Sequence, residues 1–220
     1  MMLKRLFISI FTITLLVSLA LNIYSFINGH NSESRASGLI RAEIDSLRYL
    51  STLERNYAVW PVSDNGKMLN AQLTFHSDST GKSDLPGFLT RAVTSPKLVV
   101  RYSDVNCNAC VDSLFTSLAE FSDRIGEQNV IIMASYHNRR DLFVWKRLNN
   151  IRYNVFQVPH DQMGLEIEKK NIPFLFILFP GNGTVHQIFL PMKENTERTR
   201  VYLEYISRRF FDKRPENKTS

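Results

Sequence analysis

Cysteine is nearly absent from this chain: Cys107 and Cys110 are the two in 220 residues. Such scarcity excludes a disulfide-stapled scaffold. It also leaves a zinc site short of ligands, because a structural zinc takes four and the histidines (His30, His76, His137, His160, His186) are scattered, so no metal is expected. No cysteine follows the amino-terminal apolar run, which argues against lipoprotein processing, and no acidic residue precedes that run. The formal charge of +6 comes without a basic cluster; Arg139-Arg140 and the tail from Arg208 to Lys218 are the densest groups and read as solvated faces. With no recognisable nucleic-acid module, nucleic acid is not an expected partner.

What remains is 44% hydrophobic, enough for one moderate domain plus attachments whose core needs no disulfide. The two cysteines are therefore free for chemistry. Leu6 to Ile27 is almost wholly apolar, behind Lys4 and Arg5. As a helix it reaches about 33 Å, the span of a bilayer. The basic pair places residues 1–5 in the cytoplasm and everything after Asn28 on the far side. Ser18-Leu19-Ala20 allows a rival reading, a cleaved signal peptide, but apolar residues continue through Ile23, Phe26 and Ile27 and favour a retained anchor over 6–27. Both readings export the rest of the chain.

Residues 28–58 begin with a polar break, Asn28 to Ser37, and continue as a helix from Leu39 to about Tyr57, with Ile40, Ile44, Leu47, Leu50 and Leu53 at helical spacing. That stripe either packs on its own domain or makes a weak homodimer through a short coil over residues 39–57. Residues 59–97 are the least defined: Asn70 to His76 alternates like an edge strand, and Ser77 to Pro86 reads as a loop. From 98 to 211 the pattern is clear. Leu98 to Tyr102 and Val130 to Ala134 are runs suited to strands of a sheet covered on both faces. Val111, Leu114, Phe115, Leu118 and Ile125 mark one helix face, and Leu142, Trp145 and Leu148 another. Tyr153 to Val158 adds a short strand. After Ile172-Pro173 come a strand from Phe174 to Phe179, the turn Pro180-Gly181-Asn182-Gly183, an antiparallel return from Val185 to Leu190, and a final helix from about Glu194 to Phe211. Residues 212–220 form a polar tail.

Cys107-Asn108-Ala109-Cys110 stands between the first of these strands and the helix after it. Partial positive charge at a helix N-terminus favours a thiolate, so Cys107 is the expected nucleophile. Cys110, one turn on, is the sulfur within reach to resolve a mixed disulfide. A purely structural disulfide is disfavoured, because closing so short a loop removes little entropy from the unfolded chain.

Strand, CxxC at a helix start, strand, helix, Ile-Pro, strand, Gly turn, strand, final helix: this order resembles the thioredoxin fold, and within it the exported, membrane-anchored TlpA-like thioredoxins, over roughly Leu98 to Phe211. The resemblance implies a three-layer α/β/α sandwich with a mixed central sheet, preceded by an N-terminal transmembrane helix. It implies a cis peptide bond before Pro173, facing the active-site sulfurs, and pairing of the Ile172 backbone with an extended substrate chain. It implies no cofactor, a disulfide-containing protein as substrate and a membrane-embedded electron donor. The location implied is a bacterial inner membrane, single-pass, with the globular part in the periplasm, or a soluble periplasmic protein if the leader is cleaved. Arg139 to Asn150 is similar to the extra helix such proteins carry between central strands.

The chain departs from that family beside the first cysteine. Asn106 stands where the family usually has an aromatic residue, Asn108-Ala109 replaces the usual dipeptides, and the family's amino-terminal hairpin is hard to find between Trp60 and Pro96. No threonine stands a turn before Cys107 in the proline-containing peroxidase pattern, so peroxidase chemistry is the weaker expectation. The nearest charges in sequence, Asp104 and Asp112, are anionic, which favours a reducing or isomerising poise over a strongly oxidising one. Asn106 supports the rival class, a membrane-tethered interaction module with an idle dithiol. His160 and His186 stand alone and read as surface or core histidines. Asn182-Gly183-Thr184 and Asn217-Lys218-Thr219 match a glycosylation acceptor, a frequent chance match.

Overall fold

The structure, a computed structural model, describes the backbone of residues 2–77 and 81–212 and the side chains of residues 13–26, 38–77 and 81–212. It separates into two compact units, Met1–Arg55 and Asn56–Ser220. Helix α1 (Met2–Val59) supplies the first unit. The backbone is helical through 28–37 as well, where polar residues suggested a break; that stretch holds no proline, and most of its residues cost a helix only tenths of a kcal/mol each, about 0.7 at most. Among the described residues no helix is long and apolar enough to cross a membrane. The side chains of residues 6–12 and 27, part of the expected anchor, lie outside the described residues. Within its described part Leu15, Leu16, Leu19, Leu21 and Phe26 are exposed, and so are Ile40, Ile44 and Leu47 further along.

The second unit contains β1 (Thr74–His76), β2 (Lys82–Asp84), α2 (Leu85–Ala92), β3 (Lys97–Ser103), α3 (Asn108–Glu120), α4 (Ser122–Ile125), β4 (Val130–Ser135), α5 (Arg139–Leu148), β5 (Asn154–Gln157), β6 (Phe174–Leu178), β7 (Val185–Phe189) and α6 (Thr196–Ile206). The described strands form one mixed sheet in the order β2-β1-β5-β4-β3-β6-β7. β3, β4 and β5 run parallel, whereas β6 is antiparallel to β3 and β7 to β6. A parallel β3-α3-β4 unit flanked on its other side by the β6–β7 hairpin is the thioredoxin-like α/β fold. Of the parallel strands, β3 and β4 are buried on both faces, and this explains their continuous apolar sequence. Leu98, Val100 and Tyr102 pack with Val111, Leu114 and Leu118 of α3, Leu142 of α5 and Leu203 of α6. Val99, Ile131 and Met133 face the other way, onto Phe88 and Leu89 of α2 and onto irregular chain at Leu73, Val158 and Met163.

The amino-terminal hairpin that the sequence hid is present. β1 and β2 pair from Thr74↔Asp84 to His76↔Lys82, and β1 joins the sheet edge at His76↔Gln157. Strands of three residues are too short for alternation to register, so the Ser77 to Pro86 stretch, read as a loop, contains β2 and the start of α2. Asp84 caps α2 by accepting the Gly87 N–H at 3.0 Å, with Pro86 in the first turn. The long α3 face expected to reach Ile125 breaks at Phe121, and the final helix widens into a π turn at Ser207–Phe211. The tail beyond residue 212 lies outside the described residues.

β3 also carries a charge into this interior. Arg101, 4% exposed, donates to Glu168 from Nε (3.1 Å) and Nη2 (2.8 Å), to Ser135 Oγ (2.7 Å) and to the Tyr102 carbonyl. The second Glu168 oxygen accepts the Met163 N–H at 2.7 Å. Next to it, fully buried Asp64 accepts the Ile167 N–H at 2.7 Å and the Lys67 ammonium at 2.8 Å. Two backbone N–H groups of the irregular chain between Met163 and Glu168 are thus held by buried carboxylates, and the Arg101–Glu168 pair ties the same chain to β3. Removing one member of a buried pair strands the other charge, at a cost of about 3–5 kcal/mol. Urea unfolding of the full chain is expected to show a loss of that size for Glu168→Ala, and recovery of most of it in the double variant Arg101→Met/Glu168→Leu.

Candidate active site

The site is built at the carboxyl end of β3. Ser103, its last residue, pairs with Ser135 of β4, and the Asp104 N–H bonds the Ser135 carbonyl at 2.9 Å. The Asp104 carboxylate turns toward β4 and accepts the His137 N–H at 2.8 Å. Asn106 then closes the turn, its N–H donating to the Ser103 carbonyl at 3.0 Å. Cys107 is the N-cap of α3, and its carbonyl accepts the N–H groups of Cys110 (3.0 Å) and Val111 (3.1 Å). Both cysteines are free thiols; Cys107 is exposed and Cys110 is half-buried.

This geometry separates the two sulfurs chemically. The Cys107 thiol is held below its ordinary value, chiefly by the hydrogen bond its sulfur accepts from the Cys110 thiol and then by the Cys110 N–H; the Lys193 ammonium and the Ala109 N–H add to the effect. Burial and the proton it shares with Cys107 push Cys110 up to about 11, with Glu194 acting in the same direction. Asn108 and Ala109 are exposed in the first turn of α3. The anionic neighbours expected from the sequence, Asp104 and Asp112, are not what acts on Cys107. The nearby charges come instead from Lys193 and Glu194, in the loop between β7 and α6.

The Ile172-Pro173 segment lies beside this turn, because the Asn106 side chain donates to the Asn171 carbonyl at 2.8 Å. Ile172 is half-buried and Pro173 buried. The peptide bond between them is trans, a correction to the cis bond that the resemblance implied, and no cis bond occurs among the described residues. Trans is the lower-energy isomer even before proline, and here the chain turns one residue earlier, at Asn171, whose φ of 52° and ψ of 38° are left-handed. Sequence reasoning did not find Asn106 as a bridge, Lys193, or the Arg101–Glu168 pair. Arg101 carried a signal, a charge inside an otherwise apolar strand. Among the described residues there is no group of side chains that would hold a metal ion.

No protein-family model and no curated protein matches the sequence. Solved structures similar to it include a thioredoxin-like protein from Porphyromonas gingivalis (16% identity, 64% of this chain and 94% of that one, TM-score 0.45). Others are a thiol:disulfide interchange protein from Bacteroides sp. (14%, 64% and 92%, 0.39) and the bacterioferritin comigratory protein of Xanthomonas campestris (10%, 65% and 99%, 0.44). The fold assignment itself rests on the strand order and register given above.

The inequality of the two thiols is open to measurement. Iodoacetamide is expected to modify Cys107 first, with a midpoint below that of an ordinary thiol, and to spare Cys110 until the medium is strongly alkaline. Cys110→Ala removes the donor that favours the Cys107 thiolate. The Cys107 midpoint then moves up and its alkylation rate at neutral pH falls, both read by mass spectrometry across a pH series.

Proposed function

We propose that this chain is an exported thiol–disulfide oxidoreductase that reduces or isomerises disulfides of other proteins. The observation that carries this is the pairing of an exposed, acidified Cys107 with a shielded, high-pKa Cys110 at the start of α3. The Cys107 thiolate attacks one sulfur of a substrate disulfide, forming a mixed disulfide and releasing the other sulfur as a thiolate that takes up a proton. Cys110 loses its proton and attacks Cys107. The substrate leaves with both thiols reduced, two electrons richer, and a Cys107–Cys110 disulfide remains. A membrane-embedded dithiol donor returns the two electrons.

Ile172 is proposed to pair through its backbone with an extended substrate segment, next to Pro173. What supports this is the loop's attachment beside Cys107 and the absence of any other backbone partner for the Ile172 amide among the described residues. Residues 6–27 are proposed as the anchor in a bacterial inner membrane, or as a leader if cleaved, with the second unit in the periplasm. The exposed leucines of α1 and the basic residues Lys4 and Arg5 support this. Weak self-association through the exposed Ile40, Ile44 and Leu47 belongs to the same proposal.

Cys110→Ser in the full-length chain tests the reading, since it stops resolution after the first attack. Partners are expected to accumulate as mixed disulfides that dithiothreitol releases and that vanish in Cys107→Ser/Cys110→Ser. Complexes that survive the loss of Cys107 would replace the enzyme with a binding module, and so would the absence of any trapped partner.

A further inference from the structure

We propose that Asn106 is a positioning residue that sets the substrate-pairing loop, residues 171–173, against the dithiol. The inference rests on the oxidoreductase reading of the same site and adds to it the residue that aligns substrate with sulfur.

A carboxamide offers a donor and an acceptor on one rigid plane, and Asn106 uses both. Its Oδ1 accepts the Ser103 N–H at 2.7 Å and its Nδ2 donates to the Asn171 carbonyl at 2.8 Å, with the residue 7% exposed. One end of the bridge is fixed, because Ser103 is registered against Ser135 at the centre of the sheet. The other end is a segment that the sheet does not hold. Residues 171–173 precede β6, whose pairing with β3 begins at Phe174↔Arg101, and Pro173 has no N–H to give. On its other side the segment is tied one residue earlier, by the Asn171 N–H to the Glu168 carbonyl at 3.1 Å. From Asn171 to Phe174, then, the described link to the cysteine turn is the Asn106 amide.

The consequence for chemistry is geometric. Cys107 follows Asn106 directly, so the same side chain that shapes the turn beneath the nucleophile sets the height of the Ile172 backbone next to it. A substrate strand laid along Ile172 meets the sulfur at a distance that Asn106 decides. Neighbouring residue types fail at this position for definite reasons: Asp accepts from Ser103 but cannot donate to Asn171, and Ala does neither.

The test compares two rates in the full-length chain, reduction of insulin and alkylation of Cys107 by iodoacetamide. Alkylation needs the thiolate alone, whereas insulin reduction also needs the aligned loop. Asn106→Asp preserves the Ser103 bond and so keeps the turn should Asn106→Ala fail to fold. In either variant, insulin reduction divided by the alkylation rate is expected to fall by up to about 100-fold, the scale of a misplacement of about 1 Å. A quotient that stays level, because both rates fall together or neither falls, overturns the positioning role. Hydrogen exchange of the 171–174 peptide supplies a readout independent of turnover: it is expected to quicken in both variants while exchange in α3 holds. If it does not quicken, Asn106 does not hold the loop. If wild-type protein alkylates at Cys107 yet never reduces insulin, it is the oxidoreductase reading that fails, and the exchange measurement still decides the role of Asn106.

Discussion

A guanidinium and a carboxylate sealed inside the sheet set the constraint from which the rest of the site follows. Arg101 occupies the middle of β3, between β4 and β6, where both faces are covered. A charge there cannot reach water, and its desolvation disfavours the cation unless a counterion sits against it. Glu168 is that counterion, and it comes from a short 3-10 turn with no strand or long helix to hold it. Such a pair adds little net stability compared with well-packed apolar residues, but it leaves Glu168 one place to be. The turn that carries Glu168 is thereby fixed relative to the centre of the sheet, and Asn106 holds Asn171 three residues on.

The cysteines are placed by the same strand from its other end. β3 stops at Ser103, the turn closes through Asn106, and Cys107 begins α3 with its sulfur outside the helix while Cys110 is one turn inward. Half-burial alone raises a thiol, and a thiol that donates to a neighbouring thiolate is raised further while the neighbour is lowered. One proton shared between two unequally buried sulfurs therefore sets an exposed thiol held low against a half-buried thiol held high. The opposed charges of Lys193 and Glu194 modulate this without creating it.

How much of this was legible depended on the length of each signal. The runs around Val99 and Ile132 were long enough to show strands buried on both sides, and the CxxC between one of them and a helix face placed the dithiol correctly. β1 and β2 were lost because three residues carry no period. Glu168 sits in Glu166-Ile167-Glu168-Lys169-Lys170, which reads as a solvated turn; only the fold reveals that one of its carboxylates is buried. Asn106 looked like the loss of an aromatic residue, since a polar side chain gives no sign in sequence of which distant backbone it will meet. Lys193 is 86 positions from Cys107 and nothing local links them. The isomer before Pro173 was implied by a resemblance and not by any residue; the left-handed Asn171 does the turning.

The missed contacts around residues 163–171 share a cause. Residues 171–173 stand outside the sheet, whose pairing begins at Phe174, and so strand pairing does not locate them. Apolar packing would locate them only loosely, because apolar contacts have no direction. Directional polar contacts with buried partners remain: Asp64 on the Ile167 amide, Glu168 on the Met163 amide and Asn106 on the Asn171 carbonyl. The Asp64 and Asn106 contacts join residues 103 and 65 positions apart, so local periodicity is blind to them. Where a loop stands outside the sheet, the residues that fix it are therefore to be sought among buried polar side chains outside the regular elements.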